Sequence, residues 1–492
     1  MYKGIIIKSI QLLPKASSLI ESLRDIGYSF ESAVADIIDN SITAKAKNIR
    51  IYFDIYKKNL SFAIIDDGQG MNSNTLIEAM RPGSQNPLES RDKNDLGRFG
   101  LGLKTASFSQ CRKLTVISSQ NKIKSAAVWD LDYVAEKDDW SLQVLDEKEI
   151  SSLYMINKLG TDGTLVLWQN TDRIIDETVS ELTENVVYEK IEDLQKHLEL
   201  VFHRYLSGKD KINIFINDSK LKSFDPFHSK HMATQELPEE VIPINDEKIR
   251  IRPYILPHYT KVSAQDYDYY QGVGGYLKNQ GFYVYRNKRL LISGTWFRLI
   301  AQSEMYKLAR IQIDLPNSLD HLWKIDVKKS HASPPAIIRQ RLKKIIEKIA
   351  GTSTRVYKSR GTKTSTSDIS FWERHSARGE IKYTINKNHP IIDGFMAKLD
   401  SEQKHELSEI LDLVADFFPK DTLYSDLGNY PKEVSQDNNI VDTELEEKAI
   451  FLYQNNMFSK QNIDSLRNME PFNKYTKDWE KFFAEQIQKG NI

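Results

Sequence analysis

Residues 66–71 read DDGQGM and follow directly on the run LSFAII at positions 60–65. The apolar run predicts a buried strand that ends at the aspartate pair. A second β-like run extends from Arg50 to Tyr56, and the KKN between the two runs is typical of a hairpin turn. The sequence therefore predicts a hairpin whose second strand ends in carboxylates and glycines.

The stretch FESAVADIIDNSITA at positions 30–44 has the periodicity of an amphipathic helix. Asp36, Asn40 and Thr43 share one polar stripe at spacings i, i+4 and i+7. The apolar positions at helical spacing are Val34, Ile37, Ile38 and Ile42. We expect a helix with one buried face and a polar seam.

A polar stretch rich in turn-forming residues, positions 81–95, leads into GRFGLGLKTAS at positions 97–107. This composition predicts a mobile loop bounded by glycine hinges and followed by a helix from about Leu103. Further strand-like segments lie at 114–118, 125–129 and 163–168. We expect them to extend the same sheet, and a charged amphipathic stretch from about 176 to 205 to close the domain.

The rest of the chain divides into three parts. A second α/β segment starts near Lys211 and ends in a helix that finishes near Ala350. Residues 351–367 have a linker composition, rich in Ser, Thr, Gly, Lys and Arg, and helical patterns return beyond about Asn386. We therefore predict domains at 1–195 and 196–350, a linker at 351–385 and a small helical C-terminal module at 386–492.

Composition indicates a modular globular protein. The 492 residues include 68 basic and 68 acidic side chains and are 40% hydrophobic, which excludes a disordered or fibrous chain. Cys111 is the single cysteine, so an internal disulfide framework and a multi-cysteine metal site are excluded. The N-terminus MYKGIIIK is too short in apolar residues for a signal peptide or a membrane span. We expect a cytoplasmic protein without a membrane partner.

Three polar positions are suited to nucleotide hydrolysis. Asp36 can polarise an attacking water, and the amide oxygen of Asn40, one helical turn further on, can ligate Mg²⁺. Asp66, at a strand end, can accept a hydrogen bond from an adenine amino group. Gly68 and Gly70 let the backbone pass close to the base. The pattern predicts a site for ATP and Mg²⁺.

The glycine-rich segment supplies groups suited to phosphate. Gly97, Gly100 and Gly102 precede the predicted helix, whose N-terminal amides favour anionic oxygens, and Lys104 adds a positive charge. The segment does not follow a strand in a βαβ unit, so it fits a Rossmann dinucleotide fingerprint poorly. No Walker lysine motif is present.

The order of these motifs, completed by Gly163 and Thr164 on a late strand, resembles the GHKL ATPase superfamily. The stretches at 35–41, 66–71 and 97–107 look most similar to MORC-like and MutL-like ATPases, and the resemblance covers residues 1 to about 350. It implies an α/β fold, a two-layer Bergerat-type sandwich followed by a ribosomal-protein-like α/β transducer domain. It also implies an N-terminal arm at 1–20 and an ATP lid at about 81–102.

The resemblance assigns roles to matching positions. Asp36 stands where the family carries a glutamate as general base, so the acid here is one methylene shorter and slow turnover is expected. Asn40 matches the magnesium ligand, Asp66 the adenine acceptor, and Thr164 a hydroxyl that reaches adenine through water. The residues expected to contact the cofactor are Asn40, Asp66, Gly68, Gly70, Met71, Gly97, Phe99, Gly100, Leu101, Gly102, Leu103, Lys104 and Thr164.

The second domain of MutL and gyrase relatives sends a lysine to the γ-phosphate, and Lys328 and Lys329 are both candidates here. Those relatives dimerise when ATP closes the lid, which implies an ATP-gated homodimeric clamp. Bacterial MORC-like ATPases of restriction and phage-defence systems further imply a nuclease or other defence partner. The basic segment from Lys324 to Lys363 predicts sequence-independent DNA binding, with a solvated helix face plus a flexible linker as the alternative.

Other functions fit the same nucleotide site. A chaperone-like or scaffold ATPase acting on protein clients would share it and lack salt-dependent affinity for DNA. A sensor histidine kinase needs a phospho-acceptor helix ahead of this domain, which the sequence does not carry. A type II topoisomerase or nuclease needs an acidic metal cluster or a tyrosine breakage domain, and the last ~100 residues have no such signature.

Overall fold

The chain forms two compact units, Met1–Thr354 and Arg355–Ile492, in the computed structural model. The structure describes residues 14–25, 27–54, 60–83, 102–174, 184–244, 246–320, 322–324, 333–358, 369–377, 380–420, 422–423, 441–455, 457 and 460–490.

The first unit begins with an eight-stranded sheet. Its strands are β1 Asn48–Asp54, β2 Ser61–Asp66, β3 Lys113–Gln120, β4 Ile123–Asp130, β5 Gln143–Leu145, β6 Gly163–Gln169, β7 Asn213–Ile216 and β8 Ser219–Lys220. The spatial order is β5-β4-β3-β6-β2-β1-β7-β8. Neighbouring strands are antiparallel except for the β1–β7 pair, which is parallel. The predicted hairpin of β1 and β2 is present, with Ile49 opposite Asp66.

Seven helices accompany this sheet in the described part of the chain: α1 Ala16–Arg24, α2 Phe30–Thr43, α3 Ser73–Met80, α4 Gly102–Phe108, α5 Leu131–Lys137, α6 Glu147–Ser151 and α7 Glu184–Val201. The alternation along β2 decides which strand residues face which layer. Phe62 and Ile64 belong to a large core with α1, α2, α4 and α7, whereas Ala63 and Ile65 pack on the opposite face. The sheet is therefore buried on both faces.

Helix α2 is fixed on the sheet by its own sequence signals. Ser29 precedes it, and the Ser29 hydroxyl accepts the backbone N–H of Ser32, which satisfies one of the otherwise unpaired N-terminal donors. The ring of Phe30 packs edge-on against Phe62, with centroids 5.3 Å apart. The predicted amphipathic helix is present, with Val34, Ile37 and Ile38 buried in the core and Ile42 partly buried against it.

A second sheet follows in the same unit. Its strands are β9 Gln235–Glu236, β10 Glu240–Ile244, β11 Glu247–Ile255, β12 Gly281–Arg286, β13 Arg289–Thr295 and β14 Ala309–Leu315. The order is β10-β11-β14-β12-β13, and β9 pairs with β11. The helices of this part are α8 Ala264–Tyr270, α9 Gly275–Lys278 and α10 Ala336–Lys358. One stripe of α10 is buried and formed by Ile338, Leu342, Ile345, Ile346 and Ile349.

The second unit combines a hairpin with helices. Its elements are β15 Trp372–Ala377, β16 Glu380–Ile385, α11 Pro390–Met396, α12 Ser401–Asp416, α13 Asp442–Gln454 and α14 Trp479–Gln488. Its core joins α13 to α14 through Leu445, Ala449, Trp479 and Phe483. Among the described residues, no helix has both the length and the apolar character needed to span a bilayer.

The mixed α/β fold agrees with the predicted sandwich, but the element bounds differ from the predicted boundaries. Residue 196 lies inside α7, and β7 and β8 pair with the first sheet although the sequence analysis assigns them to the second domain. The predicted linker at 351–385 contains the end of α10 and the β15–β16 hairpin. Local composition carries no information about which strands pair. The differences therefore arise from contacts between segments that are distant in the sequence.

The turn after β2 is closely packed against β3. Gly70 has a φ of +63°, and a methyl group added there would lie 1.9 Å from the carbonyl oxygen of Ser119. Gly83 has nearly the same φ, +68°, but a methyl group added there would meet no atom within 4 Å. Alanine substitutions at the two positions therefore distinguish the cost of backbone strain alone, at Gly83, from the cost of strain plus steric crowding, at Gly70.

We expect Gly83→Ala to lower the free energy of unfolding by about 1 kcal/mol, the cost of a left-handed conformation for alanine. Gly70→Ala adds overpacking to that strain, so its expected loss is about 2–4 kcal/mol. Urea unfolding followed by circular dichroism measures both. Equal losses of unfolding free energy in the two variants would show that the turn can move away from β3 without a cost in stability.

Candidate functional site

Helix α2 presents the predicted acid and amide at one side of the first sheet. Asp36 is almost fully buried, with 4% of its surface exposed, whereas Asn40 is exposed. The hydroxyl of Tyr28 donates a hydrogen bond to Oδ2 of Asp36 at 3.0 Å. Because the carboxylate is held by a buried phenol, its orientation does not depend on solvent.

Asp66 lies at the end of β2 and is also buried. The hydroxyl of Ser41, the residue after Asn40, donates to its Oδ2 at 2.8 Å, and the backbone N–H of Gly68 donates to its Oδ1 at 2.9 Å. Burial raises the pKa of Asp66 above its ordinary value, and these two hydrogen bonds act in the opposite direction. A buried carboxylate with remaining acceptor capacity favours a hydrogen-bond donor as its ligand.

Next to Asp66, the neighbouring strands β6 and β3 contribute two hydroxyl groups to the site. Thr164 on β6 is paired with Asp66 on one side and with Ser118 of β3 on the other. The Ser118 and Thr164 hydroxyl oxygens are 3.1 Å apart, and the backbone N–H of Met71 donates to Ser118 Oγ at 2.9 Å. Asp66, Gly68, Met71 and Thr164 therefore lie close together, and their contact with a nucleotide stays a prediction.

Gly102, the described end of the glycine-rich segment, lies beside the middle of α2. Helix α4 begins at Gly102, and a methyl group added to Gly102 would lie 3.8 Å from Oδ2 of Asp36. Leu103 is half-buried and packs against the core of the first sheet. The start of α4 is thus adjacent to the carboxylate of Asp36.

Lys104 points elsewhere than its sequence position suggests. Its ammonium group donates to the carbonyl oxygen of Ala79 at the end of α3, at 2.9 Å, and the side chain is buried. Burial lowers the pKa of Lys104 to about 8. Phosphate binding by this lysine stays a prediction.

Part of the predicted site lies outside the described residues. These positions are Gly97, Phe99, Gly100, Leu101, Lys328 and Lys329. Within the described chain no group of three or more His, Cys, Asp or Glu residues is placed to hold a metal ion. Magnesium that arrives with a nucleotide needs few protein ligands, because it keeps water and phosphate oxygens in its coordination shell. The exposed amide of Asn40 is chemically fit for that role.

Three polar contacts of the site are not predicted from the sequence: Tyr28, Ser41 and Ser118. Ser41 lies within the motif at 35–41, and its place next to Asn40 is the only local signal. Tyr28 precedes the helix cap, and Ser118 lies in the middle of a strand, so neither position is marked by spacing. Their roles come from the packing of α2 and β3 around Asp36 and Asp66.

Residues 28–163 match the protein family described as histidine kinase-, DNA gyrase B-, and HSP90-like ATPase. The chain is 26% identical over 268 residues to the mouse (Mus musculus) structural maintenance of chromosomes flexible hinge domain-containing protein 1, covering 45% of this chain and 13% of that protein. The human (Homo sapiens) protein of that name is 23% identical over 315 residues, covering 54% and 15%.

The chaperone protein HtpG of Rickettsia canadensis (strain McKiel) is 30% identical over 136 residues, covering 26% of this chain and 20% of the chaperone. The chain therefore spans a fifth or less of the length of these relatives. The family match begins at Tyr28 and ends at Gly163, so it includes the acid and amide of α2, Asp66 and the glycine-rich segment. Residues 28–163 therefore match a GHKL-type ATPase domain, and the chain is distantly similar to the chromosome-maintenance protein and to HtpG.

Proposed function

We propose that this protein binds Mg·ATP between α2, the end of β2 and the start of α4, and hydrolyses it slowly. The observation that carries the proposal is the arrangement along α2. Asp36 lies beside Gly102, and Ser41, five residues further on, is hydrogen-bonded to Asp66. One helix thereby carries both the acid beside the start of α4 and the serine bonded to the proposed adenine acceptor, with the amide of Asn40 exposed between them.

Each polar group has a task in this reaction. Asp36 accepts the proton of the attacking water, and Tyr28 holds that carboxylate in place. Asn40 contributes an oxygen ligand to magnesium, whose charge stabilises the phosphate oxygens when the nucleotide is bound. Asp66 accepts the adenine amino hydrogen. Aspartate is one methylene shorter than the glutamate usual at position 36 in this family, which reduces its reach toward the water and supports slow turnover.

We further propose that ATP binding closes residues 81–102 over the nucleotide and drives dimerisation through the ATPase domain. In this scheme Lys328 or Lys329 contacts the γ-phosphate, and residues 1–20 cross to the partner. The protein is then an ATP-gated clamp that acts on DNA or on a DNA-processing partner, with a role in restriction or antiviral defence. The family's tendency to dimerise supports the closing step.

The DNA-binding part of the proposal is supported by α10. The exposed charged residues in its described part are Arg341, Lys343, Lys344, Glu347 and Lys348. Four of these five side chains are basic, and one of them, Lys348, forms an ion pair with Glu240. A basic stripe of this kind neutralises phosphates without reading base sequence. The name of the mouse relative connects that protein to chromosomes.

A chaperone-like or scaffold ATPase is the second candidate, favoured by the match to HtpG at the same domain. This function uses the same Asp36, Asn40 and Asp66 site and differs only in the client. The discriminating property is affinity for DNA at moderate salt, because a protein client does not require a counterion-releasing surface.

The nucleotide site is tested by two alanine variants. Asp36→Ala should bind a non-hydrolysable ATP analogue within about 3-fold of the wild type and lose at least about 100-fold in kcat, because a general base is removed. Asp66→Ala should weaken analogue binding by about 10-fold or more, because a charge-assisted hydrogen bond to adenine is lost. Titration calorimetry and phosphate release measure these effects.

The matched control is Asp67→Asn, whose carboxylate lies next to Asp66 but accepts hydrogen bonds from the backbone of Lys47 and Asn48. It should keep both affinity and turnover. Unchanged kcat in Asp36→Ala would remove the general-base role from that residue.

Dimerisation is tested by light scattering on the Asp36→Ala variant, which is expected to retain bound ATP. With Mg·ATP the mass should double from the 56.9 kDa of one chain, and it should stay at one chain without nucleotide. The same mass in both conditions would contradict a nucleotide-driven clamp.

DNA binding is tested by titrating a duplex at several salt concentrations. We expect affinity to fall steeply with salt, and Lys343→Ala/Lys344→Ala to reduce the slope of log K against log salt by about 1–2. The control is Lys122→Ala/Lys124→Ala, two exposed lysines at the β3–β4 turn. Absence of wild-type binding at low salt would favour the chaperone-like function.

A further inference from the structure

A buried ion pair joins the helix of the nucleotide site to the second sheet. Nε of Arg289, the first residue of β13, donates to Oδ1 of Asp39 on α2 at 3.0 Å. The two side chains are 6% and 2% exposed. They are 250 positions apart in the sequence. Asp39 directly precedes Asn40 and follows Asp36 by three residues. The ion pair is therefore formed from the same helical turn of α2 that contains Asp36 and Asn40.

The arginine is itself held from several sides. Its guanidinium carbon lies 4.8 Å from the centroid of the Phe202 ring, and it donates to the carbonyl oxygen of Leu290. The β12–β13 turn beside it is fixed, because the hydroxyl of Tyr205 donates to the carbonyl oxygen of Asn287. Phe202 and Tyr205 follow α7, which packs against both α2 and β13. The tip of this hairpin is therefore docked on the ATPase helix rather than free to swing.

The pair has the geometry to set the rotation of α2 about its axis. With about 100° per residue, Asp39 projects about 60° to one side of Asp36, and Asn40 about 40° to the other. A lateral contact at Asp39 therefore fixes the directions in which Asp36, beside Gly102, and Asn40 project from the helix. Burying two charges brings little net stability even when they are well paired, whereas it imposes a strict geometry.

We propose that Asp39 and Arg289 are positioning residues for ATP hydrolysis, through which the second sheet holds the acid and amide of α2 in register with the nucleotide. The inference rests on the proposed ATPase function and names the residues that connect the site to the second sheet. It predicts that breaking the pair affects turnover much more than affinity, because adenine is held by Asp66 at the other end of α2.

The test compares two neutralised pairs. Single variants that leave a buried charge without its partner are expected to be less stable, so the informative protein is the double variant Asp39→Asn/Arg289→Gln. The matched control is Asp320→Asn/Arg286→Gln, because Arg286 at the other end of the same turn donates to Asp320 at 2.6 Å and both are buried. Arg286 pairs with a residue of the second-sheet region instead of α2.

Both double variants should melt within a few degrees of each other and bind the non-hydrolysable ATP analogue within about 3-fold of the wild type. The Asp39/Arg289 variant should lose at least about 10-fold in kcat, whereas the Asp320/Arg286 variant keeps its kcat. Wild-type turnover in the first variant, or an equal loss in both, overturns the inference.

A milder variant covers the case in which the double variants do not fold. Arg289→Lys keeps the charge opposite Asp39 and loses the planar fork, so it should fold, bind the analogue normally and lose about 3-fold or more in kcat. A folded Arg289→Lys protein with unchanged kcat would overturn the inference. Failure of the wild type to bind or hydrolyse ATP would instead overturn the proposed function, so the two failures are distinguishable.

Discussion

The hydrogen bond from Ser41 to Asp66 is the contact on which the geometry of the site depends. It ties the C-terminal half of α2 to the end of β2, and both groups are buried, so neither exchanges its partner for water. Phe30 anchors the other end of the helix on Phe62 of the same strand. Both ends of α2 are fixed to β2, so the intervening Asp36 and Asn40 occupy defined positions. The fold therefore determines where their side chains can act.

The buried polar groups of the site need hydrogen-bond partners, and this need accounts for the residues that surround them. A polar seam on a buried helix is tolerated only where its groups are hydrogen-bonded or open to a ligand. Asp36 is bonded to Tyr28, Asp66 to Ser41 and Gly68, and Asn40 is exposed. The close approach of Gly70 to β3 brings the turn after Asp66 against the strand that carries Ser118. The strand ends and the helix thus bring Asp36, Asn40, Asp66 and Ser118 to one side of the sheet.

The sequence predicted what depends on local order and missed what depends on distant contacts. The helix at 30–44, the strand before Asp66 and the nucleotide-site motifs were recognisable because period and motif are contained within a few residues. The parallel pairing of β7 with β1 joins segments about 165 residues apart, and no local pattern encodes it. Tyr28 and the Asp39–Arg289 pair were missed for the same reason, since an isolated tyrosine or arginine has no spacing that marks its partner.

The short acid at position 36 is consistent with a protein that uses ATP mainly as a signal. In a clamp whose closed state requires bound ATP, the lifetime of closure is set by hydrolysis, so a slow base prolongs it. In the proposed scheme the affinity for ATP does not depend on that base, because Asp66 binds adenine on the far side of Asn40. In the same scheme the Asp39–Arg289 pair contributes more than stability, because a small rotation of α2 would change the hydrolysis rate while the nucleotide stays bound. The affinity for ATP and the lifetime of the closed state would then depend on different residues.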